Sequence, residues 1–192
     1  MKGNTPMRRT LTLLCLASAL AVAFAPARAG KPAPAKDVLA AAVGTAASSD
    51  RTVMLIFHAS WCGWCHKLDT TMADAAFAKV IGDNYVVTHL DVMEAKNKID
   101  SLENPGGNEM MKTLGGEGSG IPFMVFFDAK GKKIADSNVM PKNQNVGYPG
   151  SADEIVAFEK LLRKTSKHIT DEQIAVVDKV LKARAPKQNA GH

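Results

Sequence analysis

The sequence predicts an α/β fold: a mixed central sheet flanked by helices, with an extra C-terminal helix. Three observations carry this expectation. Two β-favouring runs, "TVMLIFHA" (Thr52 to Ala59) and "YVVTHLDV" (Tyr85 to Val92), are separated by a helical stretch long enough for a parallel crossover. "FMVFFDAKGKKIADSNV" (Phe123 to Val139) reads as two antiparallel strands turning at Ala129 to Lys132. Helical patterns precede, separate and follow these strands, which places helices on both faces of the sheet.

The elements follow in chain order. Gly30 to Lys36 is rich in Pro, Ala and Lys and reads as a flexible leader. Asp37 is the expected cap of a helix running to Ser48, with Val38, Leu39, Ala42 and Val43 as its apolar stripe. The Thr52 to Ala59 run is continuous rather than alternating, as in a strand covered on both faces. A helix starting at the two following cysteines carries Leu68 and Met72 inward. Asp74 caps a second piece holding Phe77, Val80 and Ile81. Asn104 to Gly120 is Gly-rich around a short helix, "NEMMKTL". Ser151 and Glu154 form a capping box for a helix with Ile155, Phe158 and Leu162 on one face. Thr170 and Gln173 form another, followed by Ile174, Val177 and Leu181 and stopped near Pro186. The expected organisation is a signal over 1–29, a leader over 30–36, one domain over 37–165, an appended helix over 166–185 and a tail over 186–192.

The opening segment reads as an address. Lys2, Arg8 and Arg9 precede an uncharged apolar run, Leu11 to Ala25, too short to span a bilayer comfortably. "ARA" (Ala27 to Ala29) fits a cleavage site, so removal is expected between Ala29 and Gly30, leaving a periplasmic or secreted chain with no stable membrane insertion. Cys15 leaves with the signal; Leu14 before it is too large for a lipid-attachment motif. Four of the 24 basic residues and none of the 19 acidic ones precede Gly30, so the mature chain carries 20 against 19, a net charge of +1. A balance this even gives no argument for nucleic acid or an anionic membrane surface as a partner.

Only Cys62 and Cys65 remain in the mature chain. A structural disulfide gains most by closing a long loop, and this pair closes almost none. Chemistry is the better reason for it. The surrounding "HASWCGWCHK" permits two chemistries by spacing alone: a thiol–disulfide pair, or the C-x-x-C-H attachment site of a c-type haem with His66 as ligand. A third reading is a copper- or zinc-binding module using both thiolates and His66 or a methionine.

The strand "VMLIFHAS" running into "WCGWC", with "NPGG…SGIPFMVFF" further on, resembles the thioredoxin superfamily, and most of all its bacterial envelope members with W-C-x-W-C. The match covers 37–165 and leaves the last helix unmatched. The resemblance implies a thioredoxin fold and a thiol–disulfide oxidoreductase, with Cys62 as nucleophile and Cys65 as resolving thiol. It needs no cofactor beyond this redox-active disulfide and no metal. It implies that Ile121 and Pro122 stand across from Cys62, with Pro122 cis; the alternative is a trans proline opening an edge strand. Two intervening residues at a helix start let both sulfurs approach disulfide geometry, and the helix N-terminus favours the Cys62 thiolate.

The chain departs from the family pattern at two positions. Ile56 stands where the family has a buried carboxylate, and Val87 where it has a lysine. His58, His66 and Asp91 are the candidates for proton handling. Packed, solvated and turn-forming roles stand respectively against them. Gly63 and Trp64 shape the turn between the cysteines. Trp61 is expected to pack under that turn and Trp64 to meet substrate. Tyr148, in "NVGYPGS", is a candidate partner contact, against a plain Gly/Pro turn. The expected partners are protein thiols and disulfides and a membrane-bound electron donor or acceptor. The direction of exchange leans to reduction.

Overall fold

The computed structural model describes residues 30–186. The expected export signal lies outside them, as does the tail beyond Pro186. Strand β1 (Thr52–His58) is central: β2 (Tyr85–Asp91) pairs with it in parallel and β3 (Phe123–Phe127) antiparallel. The hairpin partner β4 (Lys133–Asp136) pairs with β3, so the sheet order is β2-β1-β3-β4. The hairpin turns where Asp128 Oδ1 accepts the Lys130 and Lys132 amides and Gly131 takes φ +78°.

The unbroken hydrophobicity of β1 has a direct cause. Met54 and Ile56 point into one core, walled by α2 (Gly63–Met72), α3 (Ala75–Asn84), α6 (Ala152–Thr165) and α7 (Asp171–Arg184). Val53, Leu55 and Phe57 point into the other, covered by α1 (Ala35–Ser49) and α5 (Gly107–Met111). A short α4 (Ile99–Leu102) lies between β2 and α5. The break expected at Asp74 is present: its carboxylate accepts the Ala76 and Phe77 amides and starts α3. Both capping boxes form as expected, at Ser151 and Thr170.

Two expectations are corrected. Helix α1 starts at Ala35, after Pro34, and Asp37 sits inside its first turn without capping it. The end of the leader is not loose either. Asn104 Nδ2 donates to Ala33 O (2.8 Å), and the buried Ala35 donates to Pro105 O (2.9 Å). These partners lie about seventy residues on, beyond any local pattern. The appended helix α7 packs on the domain. Ile174, Val177 and Leu181 are buried in the same core as Phe158 and Met54.

The α6–α7 contact sets a pH dependence. Burial, and then the negative Asp178, hold the Glu159 carboxyl above its ordinary value of 4.5. The folded chain therefore keeps this proton where the unfolded chain has lost it. That stabilisation is complete below the unfolded value and is lost as pH rises through the folded one. Glu159→Gln is expected to raise the melting temperature at neutral pH and to flatten its fall above pH 4.5. Thermal melts across pH check this; parallel wild-type and variant curves would contradict it.

Candidate active site

Strand β1 delivers the chain through Ala59, Ser60 and Trp61 to Cys62, which is the N-cap of α2. Its sulfur takes the place of a capping oxygen: the Cys65 amide points at Cys62 Sγ from 3.1 Å. The spacing explains this, because the amide three residues on is the one an N-cap side chain reaches. The two sulfurs are bonded to each other, with Cα atoms 5.2 Å apart. Cys62 keeps 4% exposure and Cys65 1%. Ile121 packs against the pair, and its carbonyl oxygen lies 3.5 Å from Cys62 Sγ. The Ile121–Pro122 bond is cis.

Three side chains hold these loops. Glu94, almost fully buried, accepts the Ser60 amide and hydroxyl (2.8 Å for the latter). Burial pushes its carboxyl up, but the Ser60 hydrogen bonds and the Lys98 charge outweigh that and hold it below its ordinary value. His66 Nε2 lies 2.9 Å from Ser60 O; a carbonyl only accepts, so the ring carries its proton on Nε2. Asn145 clamps the proline loop. Its Nδ2 donates to Gly120 O (2.7 Å) and Pro122 O (2.9 Å), and its Oδ1 accepts from Ser137 Oγ (2.7 Å) and the Gly147 amide (3.0 Å). Every hydrogen-bonding valence of that amide is used.

The aromatic residues divide differently from expectation. Trp61 does not pack under the turn. It is 56% exposed, and its indole donates to Met93 O (2.8 Å). Its acceptor belongs to the loop that follows β2, and the ring lies outward with it. Trp64 is 53% exposed. Tyr148 is buried, and its ring stacks with Trp64 at 5.9 Å and 19°. Beside them runs a groove of about 740 Å³ whose lining includes Trp64, Ile121, Pro122, Asn145, Tyr148 and Pro186.

Alternation brings His58, His89 and Asp91 to the same sheet face as Ile56. His58 Nε2 lies 3.2 Å from Asp91 Oδ1, and its ring centre is 4.9 Å from that of His89. His89 Nε2 is 3.5 Å from Asp69 Oδ1, without hydrogen-bond alignment. Burial, then the His58 charge, push His89 down, against the pull of Asp69. Burial raises the Asp91 carboxyl; His58 opposes this, and Glu94 and Asp69 reinforce it. Ile56 and Val87 line the apolar core beside this cluster. Among the described residues, no three His, Cys, Asp or Glu side chains are grouped to hold a metal ion.

Residues 35–129 match a family model described as thioredoxin-like. This stretch of the chain is thioredoxin-like. The thiol:disulfide interchange protein DsbD of Photorhabdus laumondii subsp. laumondii is 31% identical over 93 residues. That match spans 48% of this chain and 14% of DsbD. The disulphide isomerase of Xylella fastidiosa Temecula1 is 21% identical, with a TM-score of 0.45 over 62% of this chain and 80% of that one. A DsbH oxidoreductase is 21% identical, with a TM-score of 0.42 over 69% and 83%.

In this thioredoxin-like chain the fold brings Cys62, Gly63, Trp64, Cys65, Ile121 and Pro122 to one place, with Trp61 and His66 at its rim. It gathers His58 and Asp91 into a separate pair. Sequence reasoning missed Glu94 and Asn145. Asn145 had a signal, a polar residue two before a glycine and next to a buried valine, but nothing that named its partners. Glu94 had none, since its partner Ser60 lies 34 residues away.

Proposed function

We propose that this chain is an exported thiol–disulfide oxidoreductase that reduces protein disulfides through Cys62 and Cys65. The observation that carries the reading is the Cys65 amide directed at Cys62 Sγ at the start of α2. In the reduced protein that amide, with the helix dipole, favours a thiolate at Cys62. The thiolate attacks one sulfur of a substrate disulfide, forms a mixed disulfide and expels the other substrate sulfur as thiolate. Cys65, deprotonated, attacks Cys62 Sγ and expels the second. Two electrons pass to the substrate and the Cys62–Cys65 disulfide remains. The His58–Asp91 pair, on the sheet face that carries Ile56, is the proposed proton-handling group in place of the carboxylate absent at Ile56.

The lean to reduction has a local reason. Cys62 Sγ faces one amide donor and one carbonyl, from Ile121. A thiolate is helped by the first and opposed by the second. Strong oxidants stabilise their thiolate far more than this. The signal-like start supports action in the envelope, with a membrane-bound donor regenerating the dithiol and no other cofactor. Among the described residues no helix is long and apolar enough to cross a membrane.

The test is an insulin-reduction assay together with the equilibrium potential in glutathione buffer. The reading expects turnover and a potential nearer about −270 than −120 mV. Turnover with a potential at the oxidising end would reverse the direction. No exchange at all would remove the activity.

A further inference from the structure

The end of α7 reaches Trp64, which stands between the two cysteines in the chain, through a continuous set of contacts. Arg184, in its last turn, pairs with Asp74 at 3.1 Å, which fastens the helix end to the start of α3. The Arg184 carbonyl lies 3.4 Å from the Tyr148 hydroxyl. Thr71 Oγ1 donates toward both Lys67 O (2.9 Å) and the phenol oxygen (3.4 Å), and the phenol donates to the Arg184 carbonyl, which can only accept. The Tyr148 ring stacks on Trp64, and Lys67 Nζ lies 5.4 Å from the Tyr148 ring centre. Pro186 closes the same corner: a Cβ placed on Gly150 would stand 3.1 Å from Pro186 Cδ and 3.5 Å from Tyr148 Cδ1.

These contacts solve a problem set by the motif. Trp64 lies between the cysteines, half-exposed, on the first turn of a helix. An indole there has several open rotamers, and ordering it costs side-chain entropy. A flat buried ring beneath it selects one. The ring itself is held by a hydroxyl whose acceptor belongs to the last helix. We propose that Tyr148 is a positioning residue through which the C-terminal turn of α7 sets the plane of the Trp64 indole, one wall of the groove beside Cys62–Cys65, for an extended protein segment flanking the substrate disulfide.

This rests on the exchange activity above. It adds that the last helix governs recognition of protein substrates rather than the reacting sulfurs. A small disulfide meets only the sulfurs; a protein disulfide needs the wall as well.

The test uses Tyr148→Phe, which keeps the ring and removes the hydroxyl, and Arg184→Met, which releases the helix end while keeping an aliphatic stem. Each is compared with wild type for KM and kcat on insulin and for the rate with hydroxyethyl disulfide. The chain has two tryptophans, so a Trp61→Phe background isolates the emission of Trp64. The expected result is a rise in insulin KM of about threefold to tenfold, a size suited to one lost hydrogen bond. The small-disulfide rate is expected to change much less, and Trp64 anisotropy to fall. Far-UV circular dichroism confirms folding. If Tyr148→Phe misfolds, Arg184→Met carries the same readouts. Unchanged anisotropy with unchanged KM would overturn the inference and leave the exchange activity standing, as would equal losses on both substrates. A wild type inactive on both would overturn the activity itself.

Discussion

Cys62→Ser is expected to lower insulin reduction by roughly a thousandfold or more, because it removes the nucleophile and the remaining Cys65, 1% exposed, is too buried to replace it. The Cys65→Ser variant is expected to fail differently. Cys62 still attacks, but nothing displaces the captured sulfur, so a mixed disulfide accumulates. Non-reducing electrophoresis and intact mass then show an adduct that dithiothreitol dissolves. The contrast between the two variants follows from their places in the fold. Cys62 caps α2 and faces the proline loop, whereas Cys65 is 1% exposed behind it and has Cys62 Sγ as its bonded partner. An adduct on Cys65 in the Cys62→Ser variant, or none on Cys62 in the other, would reverse the assigned order.

Phe57→Ala is expected to cost about 3–5 kcal/mol, read as a lower urea midpoint. The side chain has no exposure and lies one residue before the end of the central strand. Its ring centre is 6.0 Å from that of Phe123, the residue after Pro122. One aromatic contact therefore joins the strand that delivers the cysteines to the strand that follows the proline. A cavity here is a large share of the total stability of a domain this size. It also loosens both sides of the site, so exchange is expected to slow while the protein is still folded. A loss below about 1 kcal/mol would mean that the surroundings collapse to fill the space.

The elements that local rules specify were legible. An unbroken apolar run marked β1 as covered on both faces, apolar periodicity marked the buried stripes of α6 and α7, and the two capping boxes and the Asp74 break are read from residues three apart. Spacing also placed one cysteine at a helix start with the other behind it. Where a residue's partner was distant, the reading stopped. Trp61 was expected beneath the turn and lies outside it, held by Met93. Tyr148 was a candidate partner contact set against a plain turn, and neither reading named the stack it makes with Trp64. Glu94 and Asn145 were not singled out at all.

The sequence by itself determined that this chain carries a helix-capping cysteine pair on a mixed α/β sheet, because hydrophobic period and capping chemistry act over a few residues. Only the tertiary structure decided that the end of α7 stands behind Tyr148, that Asn145 clamps the proline loop and that Glu94 holds Ser60. Those contacts join residues 23 to 36 positions apart, and no local preference encodes which distant polar group will be the one within 3 Å or so.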